Sequence, residues 1–174
     1  MSYKHIPFGA AEKFNVVVEI PKGCEVKYEY DEEWDEIKVS GIFEKGFSFP
    51  FDYGYVPQTR GGDGDHLDVF VIGSKSIASG AIVECRAIGM IELIDRGEKD
   101  DKILAVPVSD PVSKNYKGLE DLPFDYKTIF ETFFKELGIQ RNKTMETKGY
   151  RDVSVAIKEL ELAHKNFDCR KQKK

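Results

Sequence analysis

Cysteine is scarce in this chain of 174 residues: Cys24, Cys85 and Cys169 stand far apart, odd in number and without a CxxC pair. Such a set points away from a disulfide framework and predicts free thiols, as in a reducing compartment. Histidine is equally sparse, and His5, His66 and His164 are scattered, which argues against a Cys/His zinc centre. Residues 1–14 hold no apolar stretch of signal-peptide type, and no run approaches the ~18 apolar residues of a membrane span. The expectation is a cytoplasmic protein with no membrane partner. Positive charge is also in short supply, with 26 Lys and Arg against 31 Asp and Glu and a net charge of -5. A nucleic-acid partner would favour a basic face, so none is expected. Internal repeats and low-complexity linkers are absent as well. The length and the 41% hydrophobic content suit one compact domain over residues 1–174.

What the chain does have is β patterning first and helical patterning last. Val16 to Ile20 is a β-branched run. Val26-Lys27-Tyr28-Glu29-Tyr30 alternates, with Lys27 and Glu29 sharing one face. Ile37 to Val39, Leu67 to Ile72, Ile82 to Ile94 and Lys102 to Val106 read as further strands, the last two joined by the polar hairpin Asp95 to Asp101. Tyr126, Ile129, Phe130, Phe133, Phe134 and Leu137 fall at helical spacing, with Gly138 as the expected stop. Val153, Ile157, Leu160, Ala163 and Phe167 form a second apolar stripe. Strands followed by helices predict an α+β fold, a small antiparallel β-barrel with flanking C-terminal helices; that the barrel is five-stranded and OB-like is what the resemblance below implies.

The densest chemistry lies in Gly61-Gly62-Asp63-Gly64-Asp65-His66-Leu67-Asp68. Three aspartates follow two glycines at the mouth of a strand. Leu67 and Val69 would face the core, turning Asp68 the other way. Clustered carboxylates repel one another unless a cation sits among them, and oxygen ligands suit a hard divalent ion. A solvated acidic turn is the plainer alternative. An EF-hand does not fit, because the twelfth place of the loop is Ser74 rather than Glu and the flanks are strands. Further acids stand at Asp95, Glu98, Asp100 and Asp101, and at Glu19 and Glu29 on the early strands.

Asp63-Gly64-Asp65-His66-Leu67-Asp68-Val69 resembles the signature of the soluble family I inorganic pyrophosphatases, Asp-x-Asp-(Pro or Glu)-aliphatic-Asp-aliphatic. Val17 to Pro21, Lys27-Tyr28-Glu29, Phe49 to Tyr55, Asp95 to Pro107, Asp121-Leu122-Pro123 and Phe133-Phe134 are similar to other stretches of that family, in order, across roughly residues 14 to 137. The resemblance implies pyrophosphate as substrate, Mg2+ as cofactor with Mn2+ as a possible substitute, and a homo-oligomer, hexameric or dimeric. It implies that Asp63, Asp68 and Asp100 hold the central metal ions and that Asp95 and Glu19 complete the outer shell. Asp65 would be the general base. Lys27, Tyr53 and Lys102 would contact phosphate oxygens, with Glu29 orienting Lys27.

The chain departs from the pattern at several places. His66 replaces Pro or Glu and is expected to face outward. Ser40-Gly41 stands where the family has an Asp-Arg pair, and Leu137-Gly138 where it has Tyr-Lys, so three phosphate-gripping side chains are lost. Lys38, Lys45, Arg60, Arg141 and Lys143 are the bases near enough in sequence to replace them, and a small gap after Gly138 would bring Arg141 or Lys143 into play. Two alternatives stay open on sequence alone: an organic diphosphate admitted by the small Gly41 and Gly138, and a barrel that binds without catalysing.

Overall fold

The computed structural model describes residues 2–171; the side chain of Cys169 lies outside the described ones, while Cys24 and Cys85 are free thiols. Ten strands and two helices follow in chain order: β1 (Gly9–Ala10), β2 (Lys13–Ile20), β3 (Val26–Asp31), β4 (Glu36–Ile42), β5 (Asp52–Val56), β6 (Leu67–Val71), β7 (Ile82–Asp95), β8 (Glu98–Lys99), β9 (Lys102–Pro107), α1 (Tyr126–Gln140), β10 (Met145–Arg151) and α2 (Val153–Lys171).

Strands β2, β5, β6, β9 and β7 close on themselves as a five-stranded barrel. Closure comes from the length of β2, whose first half pairs with β7 (Phe14 with Cys85) and whose second half pairs with β5 (Val18 with Gly54). The strand contacts are antiparallel except at β6 and β9, which run parallel with Asp68 opposite Lys102. Gly54 permits the tight β2–β5 crossing, since a Cβ there would lie 2.0 Å from the carbonyl oxygen of Val17. The β3–β4 hairpin forms a separate two-stranded sheet whose Lys27 is opposite Gly41.

Strand periodicity divides the core in two. Phe70, Leu104 and Val106 pack with Phe130, Phe133 and Phe134 of α1, together with Phe43, Phe47, Phe49 and Phe51. Their neighbours Val69, Val71, Ile103 and Ala105 pack with Ala156, Leu160 and Ala163 of α2. Full burial of one such side chain contributes roughly 1.5–3 kcal/mol, so the aromatic cluster under α1 is a main source of stability. Asp125 caps α1, accepting from the Thr128 N–H at 3.2 Å.

Four strands escape the sequence reading, the two-residue β1 and β8 and the longer β5 and β10. β5 carries glycine and aromatics rather than a β-branched run, and β10 is Met-Glu-Thr-Lys-Gly-Tyr-Arg, largely polar. Gly138 does not stop α1. The helix continues to Gln140, and the left-handed residue that ends the turn is Asn142, at φ 49°. Gly138 instead admits a close approach: a Cβ on it would lie 2.7 Å from the backbone oxygen of Lys143.

Candidate active site

Barrel topology decides which side chains can meet. Asp68 lies on β6 and Lys102 directly opposite on β9, with Asp100 two residues before Lys102. The ammonium of Lys102 therefore reaches both carboxylates, 2.5 Å from Asp68 Oδ2 and 2.7 Å from Asp100 Oδ1. Lys102 is 4% exposed. Burial works against its charge, but Asp68 and Asp100 outweigh it and hold the amine above its usual range. The ring of Tyr53 on β5 lies beside it, 6.0 Å from centroid to Nζ. Burial and the negative charge of Asp68 and Asp100 hold the Tyr53 phenol well above its ordinary value.

The loop before β6 is shaped by its own backbone. The Gly61 N–H donates to the Asp65 carbonyl at 2.8 Å, and the Asp65 N–H donates to Asp63 Oδ1 at 3.0 Å. Asp63 and Asp65 remain exposed at the cavity mouth. Burial, then the charges of Asp63 and Asp68, raise the Asp65 carboxyl above the usual carboxylate range. Burial is also the main cause of the upward shift at Asp100, with Lys102 opposing it.

Glu19, on β2, is the most deeply placed acid of the site at 7% exposure. It accepts from the Tyr30 N–H at 2.6 Å, which ties β3 to the barrel. Burial first, then the charges of Asp68 and Glu29, push it up to about 8. On β3, Lys27 lies 3.4 Å from Glu29, so the pair foreseen from their shared face forms. Asp95, at the end of β7, takes the Lys143 ammonium on Oδ2 at 2.5 Å, while its buried Oδ1 accepts no hydrogen bond.

Glu19, Lys27, Glu29, Tyr53, Asp63, Asp65, Asp68, Asp95, Asp100 and Lys102 all line one cavity of about 670 Å³. None of the expected site residues lies elsewhere. His66 does not face outward, however. Its ring stacks on Tyr55 at 4.9 Å, and its Nε2 lies 2.7 Å from Glu32. Burial, then the neighbouring Arg60 charge, lower it to about 4. Of the five candidate replacement bases, Arg141 and Lys143 line the cavity. Arg60 turns to Glu32 and Lys38 to Asp31. The room expected at the two glycines is taken: Arg141 stands beside Gly41, and the Lys143 carbonyl crosses Gly138. Sequence spacing brings Arg141 and Lys143 forward only through a small gap after Gly138, because their reach depends on where α1 ends.

Nine carboxylates and six Lys or Arg side chains line the cavity, so its wall carries an excess of negative charge. Among the described residues, no three His, Cys, Asp or Glu groups already converge as a formed metal cage. Lys102 and Lys143 hold three of the acids instead. The donor set is nonetheless all oxygen, and the buried Asp95 Oδ1 accepts no hydrogen bond, Arg96 Nε standing 3.5 Å from it. Both features fit a hard divalent ion.

Residues 16–168 match the family model described as inorganic pyrophosphatase. This chain belongs to the inorganic pyrophosphatase family. It is 38% identical over 157 residues to the inorganic pyrophosphatase of Saccharolobus solfataricus, covering 88% of this chain and 91% of that protein. It is 39% identical over 155 residues to soluble inorganic pyrophosphatase 1 of Arabidopsis thaliana, covering 89% of this chain and 73% of that one. Among solved structures, the inorganic pyrophosphatase of Thermus thermophilus superposes with a TM-score of 0.90 at 29% identity, over 97% of this chain and 99% of that one. The barrel and its two C-terminal helices are thus shared with family members. Among the described residues, no helix is long and apolar enough to cross a membrane.

Proposed function

We propose that this cavity hydrolyses pyrophosphate to two phosphates with Mg2+ as its cofactor. The observation that carries the reading is the convergence of ten side chains from separate strands and loops on one acidic cavity, in a chain of this family. Pyrophosphate is multiply negative and would be repelled by these carboxylates alone. A cation has to come between them.

Asp63, Asp68 and Asp100 are the residues we assign to the central cations, with Asp95 and Glu19 further out. Bound there, divalent ions supply charge neutralisation and a water acidic enough to attack near neutral pH. The chain's own groups do the rest. Asp65 stands at the cavity mouth, free of the lysines that hold Asp68 and Asp100, and accepts the proton of the attacking water. Its raised carboxyl is closer to the pKa such a base needs than an ordinary aspartate would be. Lys27, Lys102 and Tyr53 bind phosphate oxygens, and Glu29 holds Lys27 in place. Lys102 keeps its proton and so acts as a fixed charge rather than an acid, stabilising negative charge as the bridging bond breaks.

We extend the reading to a homo-oligomer. Trp34, Ile42 and Ile139 are large apolar side chains left 69%, 78% and 72% exposed, of the kind that contacts between copies would cover; light scattering that returns a monomer would contradict it. The activity itself is tested by phosphate release from pyrophosphate, with and without Mg2+, beside an organic diphosphate. Fast, Mg2+-dependent release from pyrophosphate is expected. No release from pyrophosphate, or release only from the organic compound, would overturn the assignment.

A further inference from the structure

Lys27, Arg96, Lys99, Lys102, Arg141 and Lys143 are the cations that line the acidic cavity. Five of them are matched. Glu29 lies 3.4 Å from Lys27, Asp68 and Asp100 share Lys102, Asp95 takes Lys143 and Arg96, and Asp101 lies 3.1 Å from Lys99. Arg141 forms no ion pair among the described residues, although the cavity wall is rich in carboxylates. Nor is it placed at random. Its N–H donates to the Leu137 carbonyl at 3.0 Å, closing the last turn of α1, and Gln140 beside it accepts from the Glu44 N–H at 3.1 Å. On the far side of the turn, Lys143 is fixed on Asp95 and the Arg96 N–H donates to Thr144 at 3.0 Å. The turn is thus anchored to the segment that follows β4 at one end and to the end of β7 at the other.

From that mount, the guanidinium lies over the β3–β4 rung formed by Lys27 and Gly41. A Cβ built on Gly41 would be 3.7 Å from Arg141 Nη1 and 3.8 Å from Lys27 Cβ. Any longer side chain at position 41 would compete with Arg141 for the same volume. A planar cation without an anionic partner, held beside a lysine at the rim of the acidic cavity, is built to receive oxygens that arrive with a ligand.

We propose that Arg141 is a substrate phosphate ligand, gripping a terminal phosphate of pyrophosphate together with Lys27 from its place beside Gly41. The inference rests on the pyrophosphatase reading and adds a residue to it. Arg141→Gln removes the guanidinium without touching any carboxylate. It is expected to weaken binding of methylenediphosphonate, measured by calorimetry with Mg2+, and to raise KM for pyrophosphate, each by roughly ten- to a hundredfold. Arg141→Lys keeps the charge but not the fork and falls between. Recovery on returning a guanidinium from β4, with Gly41→Arg in the Arg141→Gln background, would support the shared placement. Lys38→Gln, which removes a cation committed to Asp31, should change neither quantity. An Arg141→Gln protein that binds the analogue and turns over like the wild type would overturn the inference, as would an equal loss in Lys38→Gln. A wild-type chain that releases no phosphate would instead fail the pyrophosphatase reading itself, so the two failures are told apart.

Discussion

At the scale of single residues, the site is a balance of unlike charges held at short range. Lys102 is the centre of that balance, because it alone neutralises Asp68 and Asp100 in the described structure. Replacing it with methionine leaves two carboxylates facing one another. The cost for a buried pair that loses one partner is about 3–5 kcal/mol; here the side chains of Asp68 and Asp100 keep 30% and 24% exposure, so the metal-free protein should lose nearer ~2 kcal/mol, read by urea unfolding. Added Mg2+ should recover part of the loss. The aspartates were legible in the sequence as a candidate cation site because three carboxylates crowd one short glycine-rich stretch, although a solvated acidic turn stayed open until the resemblance was weighed. His66 was not. Its partners Tyr55 and Glu32 come from other strands and turns, and nothing in its neighbours announces them. The bases Arg141 and Lys143 could be named as candidates, but only the fold separates them from Lys38, Lys45 and Arg60.

Elements set where those residues stand. α1 and β10 are joined by a turn that places Arg141 and Lys143 in the cavity, and Gly138 makes the turn possible. Alanine would gain up to about 1 kcal/mol in helix propensity at this position. Its methyl group would meet the Lys143 backbone oxygen at 2.7 Å, and backbone cannot swing aside as a flexible side chain can. Overpacking of this kind costs roughly 1–3 kcal/mol, so the clash wins. Gly138→Ala should lower the melting temperature and raise KM for pyrophosphate through the displaced turn. A second staple lies away from the cavity, where Asp110 accepts from the N–H groups of Ser74 at 2.5 Å and Val112 at 2.9 Å. Burial opposes its ionisation, but these hydrogen bonds win and hold the carboxyl well below its ordinary 3.8. A depressed carboxyl contributes stability that is present above the ordinary value and is lost as pH falls below it. Asp110→Asn should therefore be less stable than the wild type at neutral pH, with the two curves drawing together below about pH 4 in urea melts followed across pH. The strands with clean β-branched or alternating patterns were legible; β5 was hidden because barrel closure makes it a strand, and β10 because its pairing with β7 does, rather than local preference.

The whole molecule joins these parts by closing a barrel. β2 pairs on both sides, which brings Glu19 to the same cavity as Asp68 on β6, Asp95 on β7 and the acids before β9. No stretch of sequence contains that convergence, since the residues that line the cavity run from position 19 to position 145. Only the order of the matching stretches pointed to it. The result is a cavity whose acids exceed its bases, and whose occupation by a divalent ion should stabilise the fold by mass action. The central claim is that Asp65 acts on the attacking water, while Asp63, Asp68 and Asp100 hold the cations. The most direct test is phosphate release from pyrophosphate with Mg2+ by the natural chain and by Asp65→Asn, each also melted with and without Mg2+. The account predicts that the substitution slows turnover by about 10²–10⁴-fold and leaves the Mg2+-induced rise in melting temperature intact. Turnover unchanged by the substitution, or a natural chain whose melting Mg2+ does not shift, would contradict it.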